Sequence, residues 1–253
     1  MGRVAVTGGT GTLGRTAVCA LRAAGHDVVV MSRRTAPGLA TADLLTGAGV
    51  EAAFTGADVV LHLATSRGTA DRWQTQTVVD AVRETGGTAR VVYTSIVGVD
   101  KVPSSYYRTK LRCEDLLHAS GLRCAVVRVT QFHEFLGDFF ASQRFSPVLL
   151  TPDVPVQPVH VRDAAAALVR VVSDDAVGRL PDVAGPQVLD GRTAARAYRD
   201  ARGWHRPVLP VRLPGRAFRA YGAGHLCSPD AAVVDGVTFS GWLREQLGSA
   251  ALT

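Results

Sequence analysis

Over the first 130 positions, short runs of consecutive apolar residues alternate with amphipathic stretches. Val4 to Thr7 is apolar and β-branched. Thr12 to Ala24 places apolar residues at helical spacing and stops at Gly25. "VVVM" (28–31), "DVVLHLA" (58–64), "ARVVYTS" (89–95) and "RCAVVRVT" (123–130) are nearly continuous apolar runs. Such runs mark strands buried on both faces of a parallel sheet. "WQTQTVVDAVRET" (73–85) and "YYRTKLRCEDLLHAS" (106–120) read as helices between them. The alternation predicts an α/β fold: a Rossmann-type, doubly wound parallel sheet with right-handed crossovers.

Past residue 130 the pattern loosens. "TPDVPVQPVHV" (151–161) is proline-rich and extended, "RDAAAALVRVV" (162–172) is helical, and an amphipathic helix spans Phe239 to Leu247. The expectation is a core over residues 1–150. Residues 151–253 then complete the sheet and form a small substrate-side lobe, without an independent core, within one continuous structural unit.

Composition narrows the setting. No run of 18 apolar residues exists, so no membrane span is expected. The first strand starts almost at Met1, leaving no room for a signal peptide. The four cysteines (Cys19, Cys113, Cys124, Cys227) have no CxxC spacing and read as free thiols in a reducing compartment. Together these point to the cytoplasm, and no metal site is expected. The net charge of +6 could suggest nucleic acid, but no basic run is longer than Arg33-Arg34 and no nucleic-acid motif appears. The expected partner is a small molecule; the pattern says nothing of oligomeric state. Lys101 and Lys110 are the only lysines, which makes each worth inspection.

"TGGTGTLG" (7–14) sets four glycines in eight positions between a strand and a helix, the context of a dinucleotide fingerprint. Gly8 allows the tight turn, Gly11 the approach of a pyrophosphate, and Gly14 close helix–strand packing. The helix N-terminus offers amides and a positive dipole end, beside Thr10, Thr12 and Leu13. At the end of the second strand, Ser32, Arg33 and Arg34 stand where an acid would accept the ribose hydroxyls of NAD. Arginine suits a 2′-phosphate, so NADP(H) is preferred over NAD(H).

Tyr106 and Lys110 are four apart on a predicted helix and share a face. An ammonium near a phenol lowers its pKa, fitting Tyr106 to exchange a proton while hydride moves. Ser95 ends the preceding strand, placed to hydrogen-bond the reacting oxygen. Tyr107 is the competing phenol, three residues from Lys110.

In this order and spacing, the glycine turn, Ser95 and Tyr106-x-x-x-Lys110 resemble the short-chain dehydrogenase/reductase superfamily. The atypical NmrA-like, NAD(P)H-binding branch is most similar, through "VVYTSIVGVDKVPSSYYRTKLRCEDLL", "RVTQFHEF", "QPVHVRDAAAALV", "VAGPQVL" and "TFSGWL". The Ser95–Tyr106 spacing is slightly shorter than in typical members. The resemblance implies adenine contacts at Asp43 and Leu44, and ribose and nicotinamide contacts at Leu63, Ala64 and Thr65. It puts Thr130 beside the nicotinamide and Gln131, Phe132 and His133 beside substrate, with a structural role open for Gln131 and His133. His160 and Asp163 are expected to anchor and cap the helix near Arg162. The activity implied is NADPH-dependent reduction of a small or medium carbonyl, imine or enone. The branch also contains redox sensors that bind NADP without turnover, and enzymes that cyclise, dehydrate or epimerise without net redox change; both remain alternatives here.

Overall fold

The computed structural model describes residues 2–66, 68–228, 231–233 and 236–250. The first half runs β1 (Arg3–Thr7), α1 (Thr12–Ala23), β2 (Asp27–Ser32), β3 (Ala40–Thr41), α2 (Val50–Phe54), β4 (Val59–His62), α3 (Ala70–Glu84), β5 (Arg90–Ile96), α4 (Ser105–Ala119) and β6 (Cys124–Val129). The second half runs α5 (His133–Ala141), β7 (Leu149–Pro152), β8 (Pro155–Val156), α6 (Val161–Ser173), β9 (Gly178–Arg179), β10 (Val183–Ala184), β11 (Leu189–Asp190), α7 (Gly191–Ala201), β12 (Val208–Val211), α8 (Arg216–Gly222), β13 (Ala232–Val233) and α9 (Phe239–Ala250).

The main sheet is parallel, in the order β13-β10-β6-β5-β4-β1-β2-β3, with β9 also on β6. Alternating side chains feed opposite faces. Val4 and Val6, Val28 and Val30, and Val92 pack under α1 and α6 through Ala17, Leu21, Ala164 and Leu168. Ala5, Met31, Val60, Val91 and Tyr93 face α2, α3 and α4 through Phe54, Val78, Val82 and Leu117. A one-residue slip of any strand would exchange these sets, so both buried faces fix the register. The chain reverses its direction of winding between β1 and β4, and the carboxyl ends of those strands border the crevice where ligands bind in such sheets.

A second buried cluster joins the end of residues 1–150 to the C-terminal segment. Leu136 and Phe140 of α5, Leu149 of β7, Ala194, Ala195 and Tyr198 of α7, and Phe239, Trp242 and Leu243 of α9 form a separate buried cluster. Gly137 makes room for it, since a Cβ there would lie 2.5 Å from the Trp242 ring. His160 caps α6, its Nδ1 accepting from the Arg162 N–H at 2.9 Å. Asp163 instead reaches across to accept from the Val237 N–H at 3.1 Å.

A buried cation ties β5 to α6. Arg90 is 2% exposed and donates to the carbonyls of Val171, Val172 and Ala176 at 2.7, 3.0 and 2.7 Å. A guanidinium at a helix C-terminus satisfies carbonyls that the helix leaves open and complements its dipole. Arg90→Met removes every one of these donors while keeping an unbranched side chain. It should lower the unfolding free energy by about 2–3 kcal/mol, read as a shift in the urea midpoint with an unchanged slope. An unmoved midpoint would show that water replaces the guanidinium without cost.

Candidate active site

The glycine turn leaves β1 and enters α1. Gly8 has φ +67°, and a Cβ on it would come within 2.7 Å of the Ala64 amide nitrogen. A Cβ on Gly14 would lie 2.1 Å from the Gly8 carbonyl oxygen. Internal packing therefore accounts for both. Gly11 is different. Its φ of −75° suits any residue, and a Cβ there would meet only the Gly8 oxygen, at 3.3 Å. What glycine keeps open at Gly11 lies outside the protein. α1 has no side-chain cap and no acid in its first turn, and Thr10, Gly11 and Thr12 are exposed. Open amides, a positive dipole end and free space fit a pyrophosphate.

Beside this turn a buried hydrogen-bond chain fixes the end of β4. The Thr7 oxygen accepts from the N–H groups of Leu63 and Ala64, both at 3.2 Å, and lies 2.7 Å from His62 Nδ1. With both lone pairs used, its proton goes to Nδ1. His62 Nε2 then carries the hydrogen and donates to Thr75 Oγ1 at 3.2 Å. Thr75 donates onward to the Asp71 carbonyl at 2.8 Å. His62 is neutral: burial, then the Lys110 charge, lower its pKa to about 3 against the opposing effect of Asp71. His62 was not singled out from sequence; a histidine inside the apolar run "VVLHLA" is the signal that could have found it.

At the end of β2, Ser32 is buried and accepts from the Arg34 N–H at 3.1 Å, which shapes the turn. Arg33 and Arg34 are exposed, with no ion pair among the described residues. Asp43 Oδ1 accepts from the Leu45 N–H at 2.8 Å, and Leu44 is buried beneath the sheet edge.

α4 starts at the Ser104 cap, which accepts from the Tyr107 N–H at 3.3 Å. Its first turn splits two phenols. Tyr107 enters the core with Val99, Val102 and Leu226, and burial raises its pKa. Tyr106 is half-buried at the rim, and its OH lies 3.4 Å from Thr65 Oγ1. Lys110 is 4% exposed; its Nζ donates to the Thr94 carbonyl at 3.1 Å and sits 4.4 Å from the Tyr93 ring centroid. Burial lowers its pKa, while Asp71, Cys113 and Glu114 work to raise it. One turn further on, Glu114 takes Arg128 in a bidentate pair at 3.0 and 2.8 Å, and Arg128 also holds Asp100 at 3.1 Å. This pins α4 and the loop before it to β6.

Asp71, in the first turn of α3 and 2% exposed, was not singled out from sequence. Its carboxylate accepts from Thr65 Oγ1 at 2.6 Å, the Ser66 N–H at 2.6 Å and Ser66 Oγ at 2.7 Å. An acid at a helix start is common enough to read as a surface residue, and only its burial marks it.

The glycine turn, Ser32 to Arg34, Leu63 to Thr65 and Tyr106 thus gather around the carboxyl ends of neighbouring strands. Ser95 is buried on β5, in register with Arg128. Thr130 is buried, its N–H donating to the Val183 carbonyl at 3.0 Å. The next three residues turn toward the C-terminal segment. Gln131 donates to the Leu226 carbonyl at 3.3 Å, and Phe132 bridges to Val159. His133 is fully buried among His160, Phe239 and Trp242, with Nε2 donating to the Val237 carbonyl at 2.8 Å.

The neutral His62 makes acid stability sensitive. Unfolded, the imidazole titrates near 6.5; folded, near 3. Between those values the unfolded chain binds the extra proton, so stability is full above pH 6.5 and falls as pH drops toward 3. Denaturant titrations from pH 6 to 4 should show a loss of about 1.4 kcal/mol per pH unit more than in His62→Gln, which keeps a donor and an acceptor. Equal slopes would place the sensitivity elsewhere.

Residues 8–175 match the model of a family described as NAD(P)H-binding. An uncharacterized protein of Mycobacterium tuberculosis is 34% identical over 225 residues, covering 84% of this chain and 24% of that protein, so the chain spans about a quarter of that curated relative's length. An NADPH-dependent quinone oxidoreductase from Escherichia coli, solved with NADPH, superposes with TM-score 0.82 at 19% identity over 96% of this chain and 99% of that one. A nucleoside-diphosphate-sugar epimerase from Staphylococcus aureus gives 0.80 at 17% identity over the same shares. Those two likenesses establish the Rossmann-like architecture. Among the described residues no helix is long and apolar enough to cross a membrane. From the glycine turn through α6 and just beyond, the chain matches this family model, and it belongs to the NAD(P)H-binding family.

Proposed function

We propose that the protein is an NADPH-dependent reductase of small or medium carbonyl, imine or enone substrates, with Tyr106 as general acid. The observation that carries this reading is the division of the two phenols on α4. Tyr107 is sealed in the core, whereas Tyr106 stands at the crevice rim, one helical turn from the buried Lys110 and 3.4 Å from Thr65.

The cofactor, when bound, supplies the hydride. The turn from Gly8 through Gly11 to Gly14, with Thr10, Thr12 and Leu13, holds its pyrophosphate. Ser32 and Arg33, with Arg34 beside them, hold the 2′-phosphate, and Asp43 and Leu44 border the adenine. Leu63, Ala64, Thr65, Lys110 and Thr130 border the ribose and nicotinamide. Tyr106 gives its proton to the substrate oxygen or nitrogen as that atom gains charge. Ser95 orients the same atom, and Lys110 acts on Tyr106 through its charge. Residues 1–150 bind the cofactor, and residues 151–253 complete the sheet and line the substrate side.

Assays of NADPH oxidation against aldehydes, ketones, imines and enones should reveal a substrate. On it, Tyr106→Phe should lower kcat by about 100-fold or more, with folding intact. Undiminished turnover in that variant would sink the assignment. The fold shared with the staphylococcal epimerase supports a second reading, chemistry without net redox change. A cofactor that stays in one oxidation state through many turnovers would favour it.

Arg33 tests the cofactor preference. A charge-assisted contact with the 2′-phosphate is worth about 1.5–3 kcal/mol. Arg33→Ala should therefore weaken NADPH binding by roughly 10–100-fold and leave NADH binding unchanged. Added salt should narrow the preference of the unaltered protein. Equal losses for both cofactors would mean that Arg33 supports the loop instead.

A further inference from the structure

Asp71 holds three hydrogen bonds within a few residues of a half-buried phenol, and the chemistry of these partners is directional. Its Oδ1 accepts from the Ser66 N–H and the Ser66 hydroxyl, and its Oδ2 accepts from the Thr65 hydroxyl. A threonine hydroxyl has one proton. With that proton given to Asp71 at 2.6 Å, the Thr65 oxygen turns lone pairs toward the Tyr106 OH, 3.4 Å away. It can accept from the neutral phenol and can only repel the phenolate. The separation is at the long end for an O–H···O bond.

We propose that Asp71 is a positioning residue that, by orienting the Thr65 hydroxyl, keeps Tyr106 in its proton-bearing form. The functional meaning rests on reading Tyr106 as the general acid; the titration itself does not. The carboxylate also acts directly, because a buried negative charge disfavours a second one nearby. Lys110 on the same helix face works in the opposite sense. His62 is neutral, Tyr93 of β5 and Tyr107 of α4 are pushed further into their neutral forms by burial, and α8 presents Ala217, Ala220 and Tyr221 to the same cluster with Arg216 and Arg219 exposed. Thr65 and Asp71 on one side and Lys110 on the other thus act on this proton in opposite senses.

Asp71→Asn reverses the polarity with little change of shape. The amide oxygen is required at Oδ1, where two donors from Ser66 converge, so the amide nitrogen takes the place of Oδ2. It then donates to Thr65, whose proton becomes available to the Tyr106 oxygen. Both the lost charge and the reversed bond favour the phenolate. Thr65→Val, at an exposed position, removes the link and leaves the carboxylate and its Ser66 bonds in place.

The measurement is an ultraviolet titration of phenolate absorbance, subtracting that of Tyr106→Phe in each background so that only Tyr106 is read. The midpoint should fall by about one pH unit in Asp71→Asn, by less in Thr65→Val, and by less than the sum in the double variant. A midpoint in Asp71→Asn that stays or rises, or two shifts that simply add, overturns the proposal. If Asp71→Asn does not fold, Thr65→Val decides alone: a fall supports the proposal and an unmoved midpoint overturns it. No substrate is needed, so an active Tyr106→Phe enzyme would refute the general-acid reading while the titration still gave its own answer.

Discussion

The saturated hydroxyl of Thr7 is the constraint on which the crevice depends. One oxygen at the end of β1 accepts two backbone N–H groups from the end of β4 and gives its proton to His62. Every bonding position of that atom is used, and the group is 1% exposed. A buried hydroxyl with unmet capacity would be costly; a saturated one admits a single arrangement. The Leu63–Ala64 backbone is therefore held against Gly8, close enough that a Cβ there would collide. The glycine turn and the turn that leads to Thr65 are both bonded to this one residue.

The same logic runs outward to the Tyr106 phenol. Lys110 and Asp71 are both nearly inaccessible to water, and each is held by hydrogen bonds to its own neighbours, not by a direct pair. Their fields are weakly screened there, in contrast to charges at the rim. Arg128, gripping Glu114 and Asp100, keeps α4 from sliding along β6 and so preserves the separation of these groups. Burial and clamping together convert ordinary side chains into a defined electrostatic setting.

Much of this was legible in the chain. Continuous valine runs can only be strands covered on both faces, and the glycine spacing sits where strand meets helix. The four-residue step from Tyr106 to Lys110 put both on one helix. The buried partners were not legible. Asp71 looks like any acid at a helix start, because what distinguishes it is the fold of Thr65 and Ser66 back over it. The second buried cluster, shared between α5, β7, α7 and α9, was not legible for a related reason. Phe140, Leu149, Tyr198 and Trp242 come from four separate segments, none of which carries a long apolar stripe. α7 buries alanines and one tyrosine, a face too small in side-chain bulk to announce itself. His133, read as a substrate contact or a structural residue, belongs in its observed setting to that same assembly of distant segments.

Arg90 has a consequence for how such a chain assembles as it is synthesised. Its acceptors lie 81 to 86 residues downstream. As the N-terminal strands emerge, α2, α3 and α4 can cover one face of the sheet at once, whereas α6, the partner of α1 on the other face, does not yet exist. Until Val171 and Ala176 leave the ribosome, the guanidinium at the start of β5 has none of these acceptors and the second face lacks α6. Arrival of α6 covers that face and dehydrates the cation together, before β10 and the later helices of the second buried cluster, α7 and α9, have been made.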